Sequence, residues 1–283
     1  DAEQVRVDDL VTGFTQDADG VTVQAQTPTG EVQLRAQWLI GADGGRSKVR
    51  KTAGIEFAGY TWPERYSVIS TTHDFAQQGY RENAYISDPT QWVAVFKMPD
   101  VTPAGLWRMT LPVAAEVSEA EALAGPYAQQ AIRRLTRASA DTTYTLVHQT
   151  IYSVHQRVAE RLREGRVLLA GDAAHVNNPL GGFGLNSGIH DAFSLGEKLA
   201  QVIGAQAPAS LMDLYHRQRH TVNVEYVQEL SVKNKHNLEE KDPAKRQARF
   251  AELRSVCADP VKARQYLLNS SMINSIARAN AIT

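Results

Sequence analysis

The 283-residue chain has one cysteine, Cys257, so no disulfide can close within it, and no secretory leader pattern opens it. The expectation is a reducing compartment and a cytoplasmic protein. No apolar run approaches the roughly 20 residues that cross a bilayer as a helix, so no membrane span is expected. Charge of one sign is lacking too. Lys+Arg 30 balance Asp+Glu 31 for a net charge of −1, which leaves no global field to recruit nucleic acid or an anionic membrane. His175 has no ligating partner at a recognisable spacing, and no metal is expected. A dinucleotide-cradling G-x-G-x-x-G turn, internal repeats and low-complexity segments are absent as well. What is present is globular in character, with 43% hydrophobic and 22% charged residues, and is long enough for one large or two ordinary domains.

The most informative stretch runs from Arg166 to Asn186, RVLLAGDAAHVNNPLGGFGLN. Val167 to Ala170 form a short apolar run that stops at Gly171-Asp172, passes a proline and a glycine cluster, and opens into helix-like sequence. This reads as a buried strand, a ligand-facing turn and a helix start. Ligands of open α/β sheets bind at the C-terminal ends of strands, where the Asp172 carboxylate can accept hydrogen bonds from polyol hydroxyls. Gly181, Gly182 and Gly184 keep no side chain between backbone and ligand. The amides of Leu185 and Asn186 are expected to start the helix unpaired, offering partial positive charge to an anion. A second reading stays open, in which Asp172 caps the helix and the glycines only bend the chain.

The same grammar occurs earlier. Trp38-Leu39-Ile40 is a short apolar strand that ends in Gly41-Ala42-Asp43-Gly44-Gly45 and is followed by a helix start from Arg46 to Arg50. Arg46 and Arg50 are candidates for a phosphate contact, with solvated surface arginines as the alternative.

The segment GDAAHVNNPLGGFGLNSGIHDA resembles the second flavin-binding motif of the single-component aromatic hydroxylases, FAD monooxygenases related to p-hydroxybenzoate hydroxylase. The likeness covers Gly171, Asp172, Ala173, Ala174, His175, Pro179, Gly181, Gly182, Gly184, Asn186, Gly188, Asp191 and Ala192 in order. LIGADGGRSKVR resembles the family's other fingerprint on Asp43, Gly44, Ser47 and Arg50. The resemblance implies that Asp172 holds the ribitol chain, that Pro179 lies beside the flavin ring, and that the Leu185 and Asn186 amides face the N1 and O2 edge of the flavin. The Asp43 motif is implied to support FAD and the passing nicotinamide nucleotide. The implied activity is hydroxylation of an aromatic, phenolic or heteroaromatic substrate: NAD(P)H reduces FAD, O2 adds at flavin C4a, and the distal peroxide oxygen attacks the ring. The expected partners are that small aromatic substrate and O2, and a homodimeric assembly stays open. The family begins with a strand, a G-x-G-x-x-G turn and a helix, so roughly the first hundred residues of a typical FAD domain are expected to precede Asp1. Two rival readings remain: a non-catalytic fragment or interaction module that keeps the fold, and another FAD reaction on the same fold.

The expected fold class is α/β with mixed α+β character: a Rossmann-like FAD-binding domain incomplete at its N-terminus, an antiparallel-sheet substrate domain and C-terminal helices. The divisions are 1–55 and 157–204 for the FAD-binding domain, 56–156 for the substrate domain and 205–283 for the helical region. Within the first part, Gln4 to Val7, Leu10 to Gln16, Val21 to Ala25 and Glu31 to Ala36 read as a β-meander. Tyr66 to His73, Ala84 to Ile86, Trp92 to Lys97, Leu106 to Pro112 and Tyr144 to Tyr152 read as sheet strands. Ser118 to Ala138 reads as a helix on that sheet. Gly188 to Ile203, Leu211 to Leu238, Pro243 to Cys257 and Pro260 to Ala279 read as further helices. Arg108, alternating with Trp107 and Met109, is a candidate for binding a substrate carboxylate or phenolate. His73, His148 and His155 are candidate proton carriers, and Tyr66, Tyr85 and Tyr152 candidate ring-hydroxyl partners, with packing as the alternative for each. His175 reads as structural, next to the flavin turn.

Overall fold

The computed structural model describes residues 5–99 and 105–283. They group into two compact units: one takes the described residues up to Tyr60 with Gln156–Val232 and Asp259–Thr283, the other Thr61–His155 with Lys233–Ala258. Residues 205–283 are therefore shared between the units.

The first unit opens with an antiparallel meander of β1 (Leu10–Gln16), β2 (Val21–Thr27) and β3 (Gly30–Ala36). Its first turn is held by Asp17 Oδ1, which accepts the amides of Asp19 and Gly20 at 2.9 and 3.0 Å. Val21, Val23 and Ala25 on β2 point into the core while their neighbours do not, the period-two pattern of a half-buried strand. The strand expected from Gln4 to Val7 does not form over its described part: Val5 and Val7 stay exposed with no face to bury, and Gln4 lies outside the described residues. β4 (Leu39–Gly41) then leads into the short α1 (Lys48–Thr52).

β5 (Phe57–Thr71) starts in the first unit and ends in the second. It begins well before the expected Tyr66, because its first half is largely exposed and lacks the apolar alternation that marks a strand in sequence. In the second unit follow β6 (Asn83–Ile86), β7 (Val93–Met98) and β8 (Leu106–Val113). The helix expected from Ser118 to Ala138 is two helices, α2 (Glu119–Leu123) and α3 (Gly125–Thr136). Ala124 between them is extended at ψ 141, since Pro126 has no N–H for a continuous helix and its ring would meet the preceding turn. β9 (Leu146–Ala159) joins the antiparallel sheet, in the order β9-β5-β8-β7-β6, and takes a sixth strand on its free edge later in the chain. Ala128, Ala131, Ile132 and Leu135 of α3, at helical spacing, cover the face that carries Ile69, Trp107, Met109 and Leu111.

The chain returns to the first unit through β10 (Arg163–Glu164) and β11 (Val167–Leu169). β11 runs parallel to β4 with Val167, Leu168 and Leu169 opposite Leu39, Ile40 and Gly41. All three β11 residues are fully buried, as expected of a strand covered on both faces, and each side chain contributes about 1.5–3 kcal/mol by leaving water. β12 (His175–Val176) pairs with the end of β9. Then come α4 (Phe183–Ile203) and α5 (Leu211–Val222), whose Leu195, Met212 and Tyr215 pack on β11 and β2. The Tyr215 hydroxyl donates to the Leu169 carbonyl at 2.7 Å.

The helix expected from Leu211 to Leu238 is interrupted by a π-helical stretch, Asn223–Gln228, before α6 (Glu229–Glu239). α7 (Pro243–Ala258) follows. The last expected helix divides into α8 (Pro260–Ser270) and α9 (Ile273–Asn280), because Met272 takes a left-handed φ of 62. Among the described residues, no helix is long and apolar enough to cross a membrane.

Candidate functional site

Since β4 and β11 are parallel and in register, the turns that follow them leave from the same end of the pair. This brings the Asp43 and Asp172 motifs together within the first unit.

The Asp43 turn is closed on itself. Asp43 Oδ2 accepts the amides of Lys48 and Val49 at 2.7 and 3.1 Å, and Oδ1 accepts the Ser47 hydroxyl. Ser47 Oγ in turn accepts the Arg50 amide at 2.9 Å. The carboxylate thus satisfies the orphan amides at the start of α1. Burial pushes the Asp43 pKa up, but the bonds from Ser47 and the helix amides outweigh it and hold the carboxyl below its ordinary range. Gly44 sits at a left-handed φ of +82 with open space where a Cβ would stand.

The two arginines of this motif part company. Arg46 is exposed and makes no hydrogen bond or ion pair among the described residues. Arg50 is 3% exposed and is not offered to a phosphate, contrary to its reading as a ligand contact. Its Nη1 donates to the Ala173 carbonyl at 2.8 Å, its Nη2 to the Gly45 carbonyl at 2.9 Å, and its guanidinium lies 3.7 Å over the Phe57 ring. It fastens one turn to the other.

The Asp172 turn is open. Gly171 takes a left-handed φ of +61, the chain makes one 3-10 turn at Gly171–Ala173, and the exposed Asp172 carboxylate has no partner among the described residues. Asp172 therefore does not cap the helix. Downstream, Asn178 is fully buried and clamps the loop: its amide and Nδ2 donate to Gln156 Oε1 at 3.1 and 3.2 Å, and its Oδ1 accepts the Leu180 amide at 3.1 Å. Gln156 Nε2 donates to Ser231 Oγ at 2.9 Å. Pro179 is held exposed on this loop, with its carbonyl accepting the Gly182 amide at 3.0 Å.

α4 begins after Gly182, itself left-handed at φ +69, with no side-chain cap. The amides of Phe183, Gly184 and Leu185 therefore fall in the first turn, where an α-helix supplies them no acceptor, and Leu185 is 78% exposed. The expectation for Asn186 shifts here. It is the fourth helical residue, the first whose amide reaches back to the carbonyl before the helix, and its side-chain Nδ2 also donates to the Gly182 carbonyl at 2.7 Å. The amides left without an intrahelical acceptor therefore run from Phe183 to Leu185, one step earlier than the pair read from the sequence.

Beneath the turn lies a polar cluster that sequence reading did not assemble. Asp191 on α4 is fully buried and accepts from the Gly171 amide at 3.0 Å, His175 Nε2 at 2.6 Å and Arg219 Nε at 2.7 Å. Burial pushes its pKa up, while His175 and Arg219 together outweigh that and hold it below the ordinary carboxylate range. His175 is thus structural, as its place in the motif suggested. Asp191 belongs to the quoted motif, but nothing in the sequence marks Arg219 as its partner.

In the second unit, Trp107 and Met109 face α3, so Arg108 lies on the opposite face of β8, across from Ser70 and Phe96. It is half-buried, with Nε at 3.5 Å from Ser70 Oγ and no carboxylate partner among the described residues. The candidate histidines sit in ordinary surroundings: His73 Nε2 meets Gln78 Oε1 at 3.0 Å, His155 Nδ1 meets Thr61 Oγ1 at 2.8 Å, and His148 is exposed. Tyr66 is fully buried edge-on to Trp92 with ring centroids 5.0 Å apart, a packing role, and burial pushes its hydroxyl pKa far up. Tyr85 and Tyr152 are exposed.

A cleft of about 530 Å³ lined by Trp38, Arg166, Val202 and Pro208 opens at the other end of the β4–β11 pair. Its guanidinium is committed to the Ala18 and Gln37 carbonyls, so the cleft does not compete as the chemical site.

The FAD binding domain family matches residues 2–230, and the chain belongs to that family. The para-nitrophenol 4-monooxygenase of Pseudomonas sp. (strain WBC-3) is 36% identical over 271 residues, covering 96% of this chain and 66% of its own length. A 3-(3-hydroxy-phenyl)propionate/3-hydroxycinnamic acid hydroxylase of Mycolicibacterium smegmatis is 35% identical, over 73% of this chain and 35% of its own. Among solved structures, p-nitrophenol 4-monooxygenase from Pseudomonas putida DLL-E4 superposes with a TM-score of 0.85 at 34% identity, over 95% of this chain and 66% of that one. Aklavinone-11 hydroxylase, solved with FAD and aklavinone, gives a TM-score of 0.71 at 30% identity, over 82% and 44%. The chain thus spans about two thirds or less of the length of these relatives.

The site fits a flavin. An unpartnered carboxylate, an uncapped helix start and left-handed glycines with open space above them converge on one loop.

Proposed function

We infer that the protein works as a FAD-dependent monooxygenase that hydroxylates a phenolic or related aromatic ring with NAD(P)H and O2. The observation that carries this reading is the open Asp172 turn beside the uncapped start of α4, at the same strand end as the Asp43 turn. Bound FAD supplies the redox chemistry, passing two electrons from NAD(P)H to O2 so that one oxygen atom enters the ring and the other leaves as water.

The chain's own residues bind and orient. The Asp172 carboxylate accepts hydrogen bonds from ribityl hydroxyls. Gly171, Gly181, Gly182 and Gly184 let the backbone approach, and the amides from Phe183 to Leu185 face the electron-rich edge of the ring, where they favour its reduced, negatively charged form. Asn178 and Gln156 keep Pro179 at the ring. Asp43 and Gly44 shape the neighbouring turn, and Arg46 is free to meet a nucleotide phosphate. Arg108, with the Ser70 hydroxyl, holds an anionic oxygen of the substrate.

The test is reconstitution with FAD followed by anaerobic and aerobic assays with 4-nitrophenol and other phenols. A yellow protein whose NAD(P)H consumption matches hydroxylated product is expected. NAD(P)H consumption with peroxide and no hydroxylated product for any phenol sinks the monooxygenase reading. A colourless protein favours the rival, a module that keeps the fold without a flavin.

A further inference from the structure

Three elements meet on one carboxylate. Asp191, on the buried side of α4, takes the Gly171 amide from the turn after β11, His175 Nε2 from β12 and Arg219 Nε from α5. Arg219 is itself tied back to α4, donating through Nη2 to the Ser187 hydroxyl at 3.1 Å and carbonyl at 3.3 Å, and Asn223 Nδ2 reaches the same hydroxyl at 3.2 Å. An ionised carboxylate only accepts, so His175 carries its proton on Nε2. Its Nδ1 is buried without a hydrogen-bond partner among the described residues.

The consequence lies in what the carboxylate grips. Gly171 is separated by one peptide from Asp172, and its left-handed φ of +61 sets how the chain turns off β11. The helix that holds its amide is the same helix whose first turn presents the free amides of Phe183 to Leu185. One hydrogen bond therefore sets the register between the carboxylate and the amides. A turn that only needed closing would draw on its own residues, as the Asp43 turn does through Ser47.

We propose that Asp191 is a positioning residue for the flavin, fixing the Gly171 amide and thereby aiming the Asp172 carboxylate relative to the start of α4. The proposal rests on the reading of Asp172 as the ribityl-holding residue.

The test uses the full chain with Asp191→Asn, Asp172→Ala and the double variant, read in two ways. Amide exchange without flavin should show Gly171 losing protection by about tenfold or more in Asp191→Asn, the scale of one hydrogen bond to a charged group, while interior α4 amides keep theirs. The FAD dissociation constant should rise by about tenfold in Asp191→Asn but by less than about threefold when Asp172 is already alanine, because residues acting through one another are not additive. A merely structural Asp191 would weaken FAD binding equally in both backgrounds. If Asp191→Asn does not fold, Asp191→Glu keeps the charge facing Arg219 while displacing the carboxylate from Gly171, and the same two outcomes are expected of it. Uptake of no FAD by the unsubstituted chain overturns the ribityl reading and the proposal with it. Uptake together with unchanged Gly171 exchange, or with additive losses, overturns the proposal alone.

Discussion

The turns after β4 and β11 begin alike, with a short apolar strand, a glycine and an aspartate ahead of a helix, and end as opposites. Asp43 accepts a hydroxyl and two amides from the residues that follow it, so its helix is capped from within and its carboxylate has little left to offer. Asp172 accepts nothing from its own turn and stands exposed, and the turn is closed from below by Asp191 on another element. An aspartate at a strand end becomes a ligand contact when the neighbouring backbone is satisfied from elsewhere. A capping serine four residues on makes the difference: Ser47 follows Asp43 at that spacing, whereas Val176 stands at the same place after Asp172.

The strongest way to break the contrast is to remove what closes the second turn from below. Arg219→Met leaves the fully buried Asp191 carboxylate without its cation, and breaking a buried ion pair from one side costs about 3–5 kcal/mol. Urea unfolding should show a loss of that size; a loss within the range of an ordinary surface substitution would mean that Asp191 does not rely on Arg219. The next effect separates the two aspartates. Asp43→Ala removes the acceptor at the start of α1 and should cost about 1–2 kcal/mol of stability. Asp172→Ala touches no protein partner, so stability should stay within about 0.5 kcal/mol while FAD is retained less well.

Acid sharpens the same comparison. The Asp43 carboxyl lies below its ordinary value in the fold, so it binds its proton more readily unfolded. Its contribution is complete above about pH 3.9, the ordinary carboxylate pKa, and is lost as pH falls through the lower folded value. Asp43→Asn should therefore flatten the acid side of the stability curve. An unchanged acid limb would show that the cap does not prefer the ionised form.

Much of this was written locally. The apolar run of β11, the glycines and the motif spacing marked both turns, because a strand end and a helix start depend on neighbouring residues. The register Leu169 to Gly41, which sets the turns side by side, could not be read from either segment alone. Asp191 and Arg219 sit on different helices, and each looks like an ordinary charged residue in its own sequence; only packing reveals that they are buried together. The breaks at Ala124 and Met272 escaped for different reasons. Pro126 signals the first, whereas no glycine or proline marks the left-handed Met272.

Arg46 and Arg50 give the smallest and most local version of the contrast. They are four residues apart at one helix start and indistinguishable by type, yet Arg50 is buried between two carbonyls and the Phe57 ring, while Arg46 is exposed. Arg46→Ala should leave stability within about 0.5 kcal/mol, since it removes no contact among the described residues. If the side chain meets a nucleotide phosphate, the KM for NAD(P)H or the FAD dissociation constant should rise by a few-fold, and the rise should shrink with added salt because an exposed charge pair is screened. Whichever constant moves identifies the phosphate it meets. If neither moves at low salt, Arg46 is a solvated surface residue, and the Asp43 turn then contributes to the site by its shape alone.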